Sequence, residues 1–203
     1  ALSRDNGQLT IDGKGKLVER PFDTYYKIFD KQGISYKTTN GKLPLYVEGS
    51  LKAGTFEVEG NISSQFITGL LYTLPLLDGD SEIMITGPLE SKGYVDLTLK
   101  ILEMAGIKVK NNDYKSFSIK GNQTYKRFDY TVEGDYSQVA FWIVAGILSE
   151  EINCKNVYKD SLQGDRAIVE IVQRMGANLE INDKNIKVFP GKTQGTVIDV
   201  SQC

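Results

Sequence analysis

Three short stretches of this 203-residue chain combine residue types suited to holding an anion. Ser63-Ser64-Gln65 places two hydroxyls and an amide at the head of an apolar run. Glu90-Ser91-Lys92-Gly93-Tyr94 joins a hydroxyl to an ammonium ahead of another run, and Arg20, within Glu19-Arg20-Pro21-Phe22, precedes a third. Each reads as a turn leading into a helix. A helix N-terminus presents N–H groups and the positive end of the helix dipole, so hydroxyls and cations gathered there suit a phosphate or carboxylate. Plain N-capping, a solvated lysine and a surface arginine account for the same residues one by one. Two or three such N-termini brought together by symmetry would make an anionic small-molecule site, and bare chemistry goes no further.

Other chemistries are disfavoured by composition. There is no histidine, which removes His-based nucleophile activation, the commonest general base and most zinc sites. Cys154 and Cys203 form neither C-x-x-C nor a metal-ligand spacing, so no metal is expected and two reduced thiols of a cytoplasmic protein are. Gly13-Lys14-Gly15-Lys16 lacks the G-x-x-x-x-G-K-[ST] spacing of a nucleotide loop. With 24 basic against 26 acidic residues and a net charge of −2, neither a nucleic acid nor a membrane surface is an expected partner. The longest apolar stretch, Phe66–Leu77, has 12 residues, short of the ~20 that span a bilayer. No basic-then-apolar leader precedes residue 20, so secretion is not expected. Hydrophobic content of 40% and charged content of 25% fit an ordinary globular core.

The elements that must position the three stretches are repeated. Similar segments start at Tyr25, Thr98 and Ile168, each an apolar-periodic run, a glycine, then two alternating runs around a polar turn. Their glycines, Gly33, Gly106 and Gly176, are 73 and 70 residues apart, and VEGNISSQF at Val58 matches VEGDYSQVA at Val132. Coincident offsets of this kind mark copies of one unit.

Periodicity gives the unit its structure. Phe22, Tyr25, Tyr26 and Phe29 form an i, i+3, i+4, i+7 stripe, repeated by Ile168, Ile171, Val172 and Met175 and by Val95, Leu99 and Leu102 with Thr98. Gly33, Gly106 and Gly176 stand where such helices end in a left-handed residue. Ile107–Val109 and Phe117–Ile119 alternate like half-buried strands, with polar turns at 111–113 and 182–184. Ahead of them, Phe66–Leu77 and Val139–Leu148 lack a polar face and are expected to be helices buried on all sides. Ser63, Ser64 or Asn61 could cap the first, Asp135 or Ser137 the second. The unit is βαβαββ, an α/β (α+β) class with buried helices and outer sheets. Residues 55–121 and 128–191 are expected to be full copies and residues 8–49 the back half of another. That partial unit should leave an apolar sheet face uncovered, which marks the chain as a piece of a longer protein and leaves self-association open.

Glu19-Arg20-Pro21, Gly60-Asn61-Ile62-Ser63-Ser64-Gln65-Phe66, Ser91-Lys92-Gly93-Tyr94, Val132-Glu133-Gly134-Asp135 and Ser161-Leu162-Gln163-Gly164-Asp165 carry a resemblance to the EPSP synthase family, enolpyruvyl transferases of the shikimate pathway. It covers essentially the whole chain, in the family's order and spacing. It implies a fold of six βαβαββ units in two lobes, about two and a half of them present. Residues 1–130 would belong to the lobe holding shikimate 3-phosphate, and 131–203 would begin the other lobe. The implied reaction moves the enolpyruvyl group of phosphoenolpyruvate to the 5-hydroxyl of shikimate 3-phosphate, by addition and elimination, with no cofactor.

By the same resemblance Ser63, Ser64 and Ser91 hold the shikimate phosphate, and Tyr94 lies beside the shikimate ring. Gln65 stands near both substrates, and Arg20 grips phosphoenolpyruvate, which its planar fork suits. Asp135 and Gln163-Gly164-Asp165 are expected to be structural. The positions matching the family's acid/base groups are not in these residues, so no catalytic residue and no turnover are expected of the chain alone. Gly93 stands where the family often has proline, which alters loop stiffness more than chemistry. The resemblance implies a cytoplasmic enzyme, monomeric when whole. The related UDP-N-acetylglucosamine enolpyruvyl transferases fit these motifs less well, and a non-catalytic binding module with the same fold is the remaining alternative.

Overall fold

The computed structural model describes residues 7–90 and 92–198, and these contain three versions of one arrangement. The first runs β1 (Gly7–Ile11), a 3-10 turn (Gly15–Glu19), α1 (Asp23–Gln32), β2 (Ser35–Thr39) and β3 (Lys42–Gly49). The second runs β4 (Thr55–Glu59), α2 (Ser64–Thr73), β5 (Ser81–Thr86), α3 (Lys92–Met104), β6 (Val109–Asn112) and β7 (Ser116–Ile119). The third runs α4 (Tyr136–Leu148), β8 (Ile152–Lys155), α5 (Ala167–Arg174), β9 (Asn178–Ile181) and β10 (Asn185–Phe189). Their sheets have the orders β1-β3-β2, β4-β5-β7-β6 and β8-β10-β9. The second strand of each hairpin, β3, β7 or β10, thus lies between its hairpin partner and the strand that precedes the amphipathic helix, and among the described residues only β4 with β5 is a parallel pair.

The glycine stops act as expected. Gly33, Gly106 and Gly176 have φ of 67°, 78° and 90°, a left-handed conformation that a Cβ would oppose. Behind each, the next residue donates its N–H five positions back, as Ile34 does to the Phe29 carbonyl at 2.9 Å, closing the helix end in a Schellman motif. The backbone divides into two compact units, Ala1–Glu90 with Thr98–Arg127, and Ser91–Leu97 with Phe128–Cys203. In the first, Phe29, Ile34, Leu43, Leu45 and Val47 form one buried cluster. In the second, Tyr136, Ile143, Ile147, Val169, Val172, Ile186 and Val188 form the core between α4, α5 and the sheet.

Three expectations need correction. Helix α4 is not buried on all sides: Phe141, Trp142 and Leu148 are 73%, 61% and 76% exposed. Its other face, through Ile143 and Ile147, packs into the core with the sheet, and among the described residues of its unit no further layer covers the outer face. An all-apolar helix needs neighbours all round, and the unit supplies them on one side. Phe66–Leu77 is likewise not a single helix: α2 ends at Thr73 and a 3-10 turn, Leu74–Leu76, follows at Pro75, which has no N–H to continue the ladder. Tyr72 stays exposed on it.

The third correction concerns residues 128–191, which are not a full copy, because no strand forms ahead of α4. In β4 the inward residues Phe56 and Val58 are buried, whereas their counterparts Tyr130 and Val132 are exposed. Without burial on one face the segment forms no strand ladder, and its Val132 carbonyl accepts from the Asn156 side-chain amide at 2.9 Å instead. One rung remains, Gly134 N–H to the Asn156 carbonyl at 2.7 Å, matching Gly60 N–H to the Thr86 carbonyl at 3.0 Å in the copy before.

The partial first copy leaves a mark as well. Leu45 and Val47 are buried under α1, but an apolar cleft of about 410 Å³ stays open between Leu9, Ile11, Tyr25, Leu51, Leu70 and Leu76.

Candidate functional site

The turn that carries Ser63 is built by close backbone approach. From β4 the chain passes Gly60, whose N–H donates to the Thr86 carbonyl and whose own carbonyl accepts from Glu90 N–H at 3.1 Å. A Cβ on Gly60 would lie 2.7 Å from the Pro88 carbonyl oxygen and 2.8 Å from Ile85 Cγ2, so only glycine fits without displacement. The turn ahead of Ser63 is therefore fastened to the segment ending at Glu90, the first residue of the second anion-type stretch.

Ser63 is the N-cap of α2, with extended backbone, and its Oγ accepts the Gln65 N–H at 3.2 Å. Phe66 N–H donates to the Ser63 carbonyl at 3.3 Å. Two amides of the first turn are thus spent within the turn. A hydroxyl that accepts still has its own proton to donate, so the capping bond and a bond from Ser63 to an anion are compatible. Ser63 and Ser64 are half-buried and Gln65 is exposed.

Arg20 follows the 3-10 turn with extended backbone (φ −67°, ψ 138°), the conformation a residue before proline favours, and is exposed. The helix it leads into packs on α2. Tyr25 meets Phe66 edge-on with ring centroids 4.8 Å apart, and its hydroxyl lies 2.3 Å from where a Cβ on Gly69 would stand. Lys27 and Lys31 of α1 pair with Glu59 and Glu57 of β4 at 2.6 and 2.7 Å. Arg20, Ser63, Ser64 and Gln65 thus belong to the first compact unit.

Tyr94, in the first turn of α3, groups with the second unit, and Ser91 lies outside the described residues. Its phenol donates to Asp165 Oδ2 at 2.9 Å, and Ser137 Oγ donates to the same oxygen. Burial first, and then the bond to Asp165, push the Tyr94 phenol above its usual range, while Ser137 opposes the shift. The neighbouring signature residues build the frame. Asp135 caps α4 by accepting the Ser137 N–H at 2.9 Å. The Gln163 side chain accepts from Tyr136 N–H at 2.8 Å and donates to the Gly134 carbonyl at 2.9 Å. Sequence reasoning did not single out Ser137 as a partner of Asp165. The available signal was the repeat, because Ser137 is the counterpart of Ser63.

Among the described residues no cluster of three His, Cys, Asp or Glu side chains is placed to hold a metal, and no helix is long and apolar enough to cross a membrane. Cys154 is a buried free thiol, and Cys203 lies outside the described residues.

Comparison with known proteins agrees with the motifs. The family model of EPSP synthase (3-phosphoshikimate 1-carboxyvinyltransferase) matches residues 1–203. A 3-phosphoshikimate 1-carboxyvinyltransferase of Clostridium novyi is 55% identical over 200 residues, 98% of this chain and 46% of the relative. That of Clostridium perfringens is 52% identical over 204 residues, covering 100% of this chain and 48% of its own. The solved structure of EPSP synthase from Acinetobacter baumannii superposes with a TM-score of 0.70 at 22% identity, covering 93% of this chain and 44% of that one. The chain therefore spans about half the length of the relatives it matches. Because the family model matches residues 1–203, the chain belongs to the EPSP synthase family.

Proposed function

We propose that this chain is part of an enzyme that transfers the enolpyruvyl group of phosphoenolpyruvate to the 5-hydroxyl of shikimate 3-phosphate. In that reaction the hydroxyl oxygen bonds to C2 of phosphoenolpyruvate while its proton leaves and the methylene carbon gains one. Loss of phosphate and of a methyl proton then restores the double bond. The contribution of this chain is substrate binding. The observation that carries this is the Ser63-Ser64-Gln65 turn, with capped backbone and hydroxyl protons left to donate, in a chain of this family.

In this reading Ser63, Ser64 and Ser91 bind the shikimate phosphate, and Tyr94 contacts the ring. Gln65 touches both substrates, and Arg20 takes phosphoenolpyruvate through its guanidinium fork. Fixed hydroxyls and cations of this kind supply the electrostatic stabilisation that two anionic substrates require. Residues 1–130 belong to the lobe that holds shikimate 3-phosphate and 131–203 start the other. The whole enzyme is cytoplasmic and monomeric, needs no cofactor, and owes its acid/base chemistry to residues other than these 203, so the chain alone does not turn over.

Calorimetric titration with shikimate 3-phosphate tests the reading, with Ser64→Ala and a UDP-sugar as controls. Saturable binding, weakened about tenfold or more in Ser64→Ala and absent for the UDP-sugar, is expected; one charged hydrogen bond is worth ~1.5–3 kcal/mol. Equal binding by Ser64→Ala, or phosphate release from the two substrates by this chain, would overturn it.

A further inference from the structure

We propose that Asp165 is a positioning residue for Tyr94, its carboxylate setting the direction in which the phenol stands at the start of α3. The proposal rests on the reading of Tyr94 as a contact of shikimate 3-phosphate. Two hydroxyls, from Tyr94 and Ser137, converge on one oxygen, Asp165 Oδ2. A tyrosine has few rotatable bonds, so one strong bond at its tip fixes the ring as well as the hydroxyl. Hydrogen bonds to a charged acceptor are about twice as strong as neutral ones.

The carboxylate is itself held. It stands in the 3-10 turn Gly164–Arg166, next to Gln163, whose side chain is clamped to Gly134 and Tyr136. The start of α3 meets the same loop. A Cβ on Gly93 would lie 2.7 Å from the Leu162 carbonyl oxygen and 3.2 Å from Gly164 N, so glycine there lets the helix backbone rest against the loop that carries Asp165. Gly93 thus gains a steric reason beyond loop stiffness. Ser137 comes from the first turn of α4, capped by Asp135. Three elements of one compact unit meet at a single carboxylate, the loop and α4 fixed by bonds of their own and the start of α3 by close backbone approach.

The test reads Tyr94 directly and the ligand separately. In Asp165→Asn the acceptor survives and the charge does not, so the Tyr94 phenol pKa, followed through its Cζ resonance, should fall while staying above its usual value because burial persists. The dissociation constant for shikimate 3-phosphate should rise about fivefold to twentyfold. In a Tyr94→Phe background the same substitution should change it less than twofold, because Asp165 acts through the phenol. Ser137→Ala, which leaves the Tyr94–Asp165 pair in place, should raise the dissociation constant by a smaller factor and should push the Tyr94 phenol up rather than down, since Ser137 opposes the shift. An unchanged Tyr94 resonance and pKa in a folded Asp165→Asn protein would overturn the proposal, as would an undiminished effect of Asp165→Asn without the phenol. If the unaltered chain binds no shikimate 3-phosphate while Tyr94 still responds to Asp165→Asn, the ligand reading falls and the hold of Asp165 on Tyr94 stands.

Discussion

Removing the Gln163 side chain should unfasten the start of α4 more than any single surface change elsewhere in that unit. Its amide spans Asp135: the oxygen accepts from Tyr136 N–H at 2.8 Å, and the nitrogen donates to the Gly134 carbonyl at 2.9 Å. Tyr136 is fully buried, so in Gln163→Ala its N–H loses its partner where water has little access, while the half-exposed Gly134 carbonyl can be rehydrated. An intramolecular hydrogen bond contributes ~1 kcal/mol net, and a buried donor left unpaired costs ~1–3 kcal/mol. The substitution should therefore destabilise the second unit by ~3 kcal/mol, a large part of the ~5–15 kcal/mol that holds a typical domain. Urea unfolding followed by circular dichroism measures the total, and hydrogen exchange at the Tyr136 amide measures the local effect. Protection there should drop about a hundredfold, since each ~1.4 kcal/mol is a factor of ten. Gln163→Glu keeps the acceptor for Tyr136 and loses the donor to Gly134, so it should fall between the two. A Gln163→Ala protein within ~0.5 kcal/mol of the parent, with Tyr136 as well protected, would refute the assignment of the helix start to this side chain.

Two further outcomes follow from the same geometry. Gly60→Ala must place a Cβ 2.7 Å from the Pro88 carbonyl oxygen, and because that neighbour is backbone the first unit should lose ~1–3 kcal/mol; an unchanged thermal midpoint would show that the turn has room. Burial pushes the Tyr136 phenol up to about 12 from an ordinary 10.0, with Glu133 and Asp160 adding to the shift and Arg166 opposing it, and its O–H donates to the Tyr158 carbonyl at 2.8 Å. The folded state holds that proton more tightly than the unfolded one, so the contribution is whole below pH 10 and is lost as pH rises towards 12. This amounts to roughly 3 kcal/mol. Urea midpoints from pH 8 to 12 should fall less steeply for Tyr136→Phe than for the parent, and parallel curves would contradict the shift.

What was legible in the sequence was whatever depends on a residue and its near neighbours. The stripe of Tyr25, Tyr26 and Phe29 made a helix, and Gly33, Gly106 and Gly176 ended three of them, because a left-handed stop is a local steric matter. What the repeat could not convey is how much of each copy finds a neighbour. Val58 and Val132 are identical residues at equivalent positions; one is buried in β4 and the other is 74% exposed in a segment that forms no strand. Apolar patterning states what a helix or strand can bury and is silent on whether a layer arrives to bury it, which is why the pattern of α4 implies burial at Phe141, Trp142 and Leu148 where the structure exposes them.

The candidate site shows the same limit at the scale of one hydroxyl. Ser63 and Ser137 occupy equivalent places in VEGNISSQF and VEGDYSQVA, and repetition alone would give both the task of capping a helix. Ser63 does cap α2. In the later copy aspartate replaces Asn61 as Asp135 and takes over the cap, so the helix starts earlier and Ser137 stands inside its first turn. A carboxylate competes well for that role, since it adds charge to the acceptor at the positive end of the dipole. Released from capping, the Ser137 hydroxyl turns to Asp165, beside Tyr94. The two segments differ at five of their nine positions, and with the cap held by Asp135 the Ser137 hydroxyl becomes part of the frame around a candidate substrate contact, which only the placement of Asp165, 28 residues away in the chain, reveals.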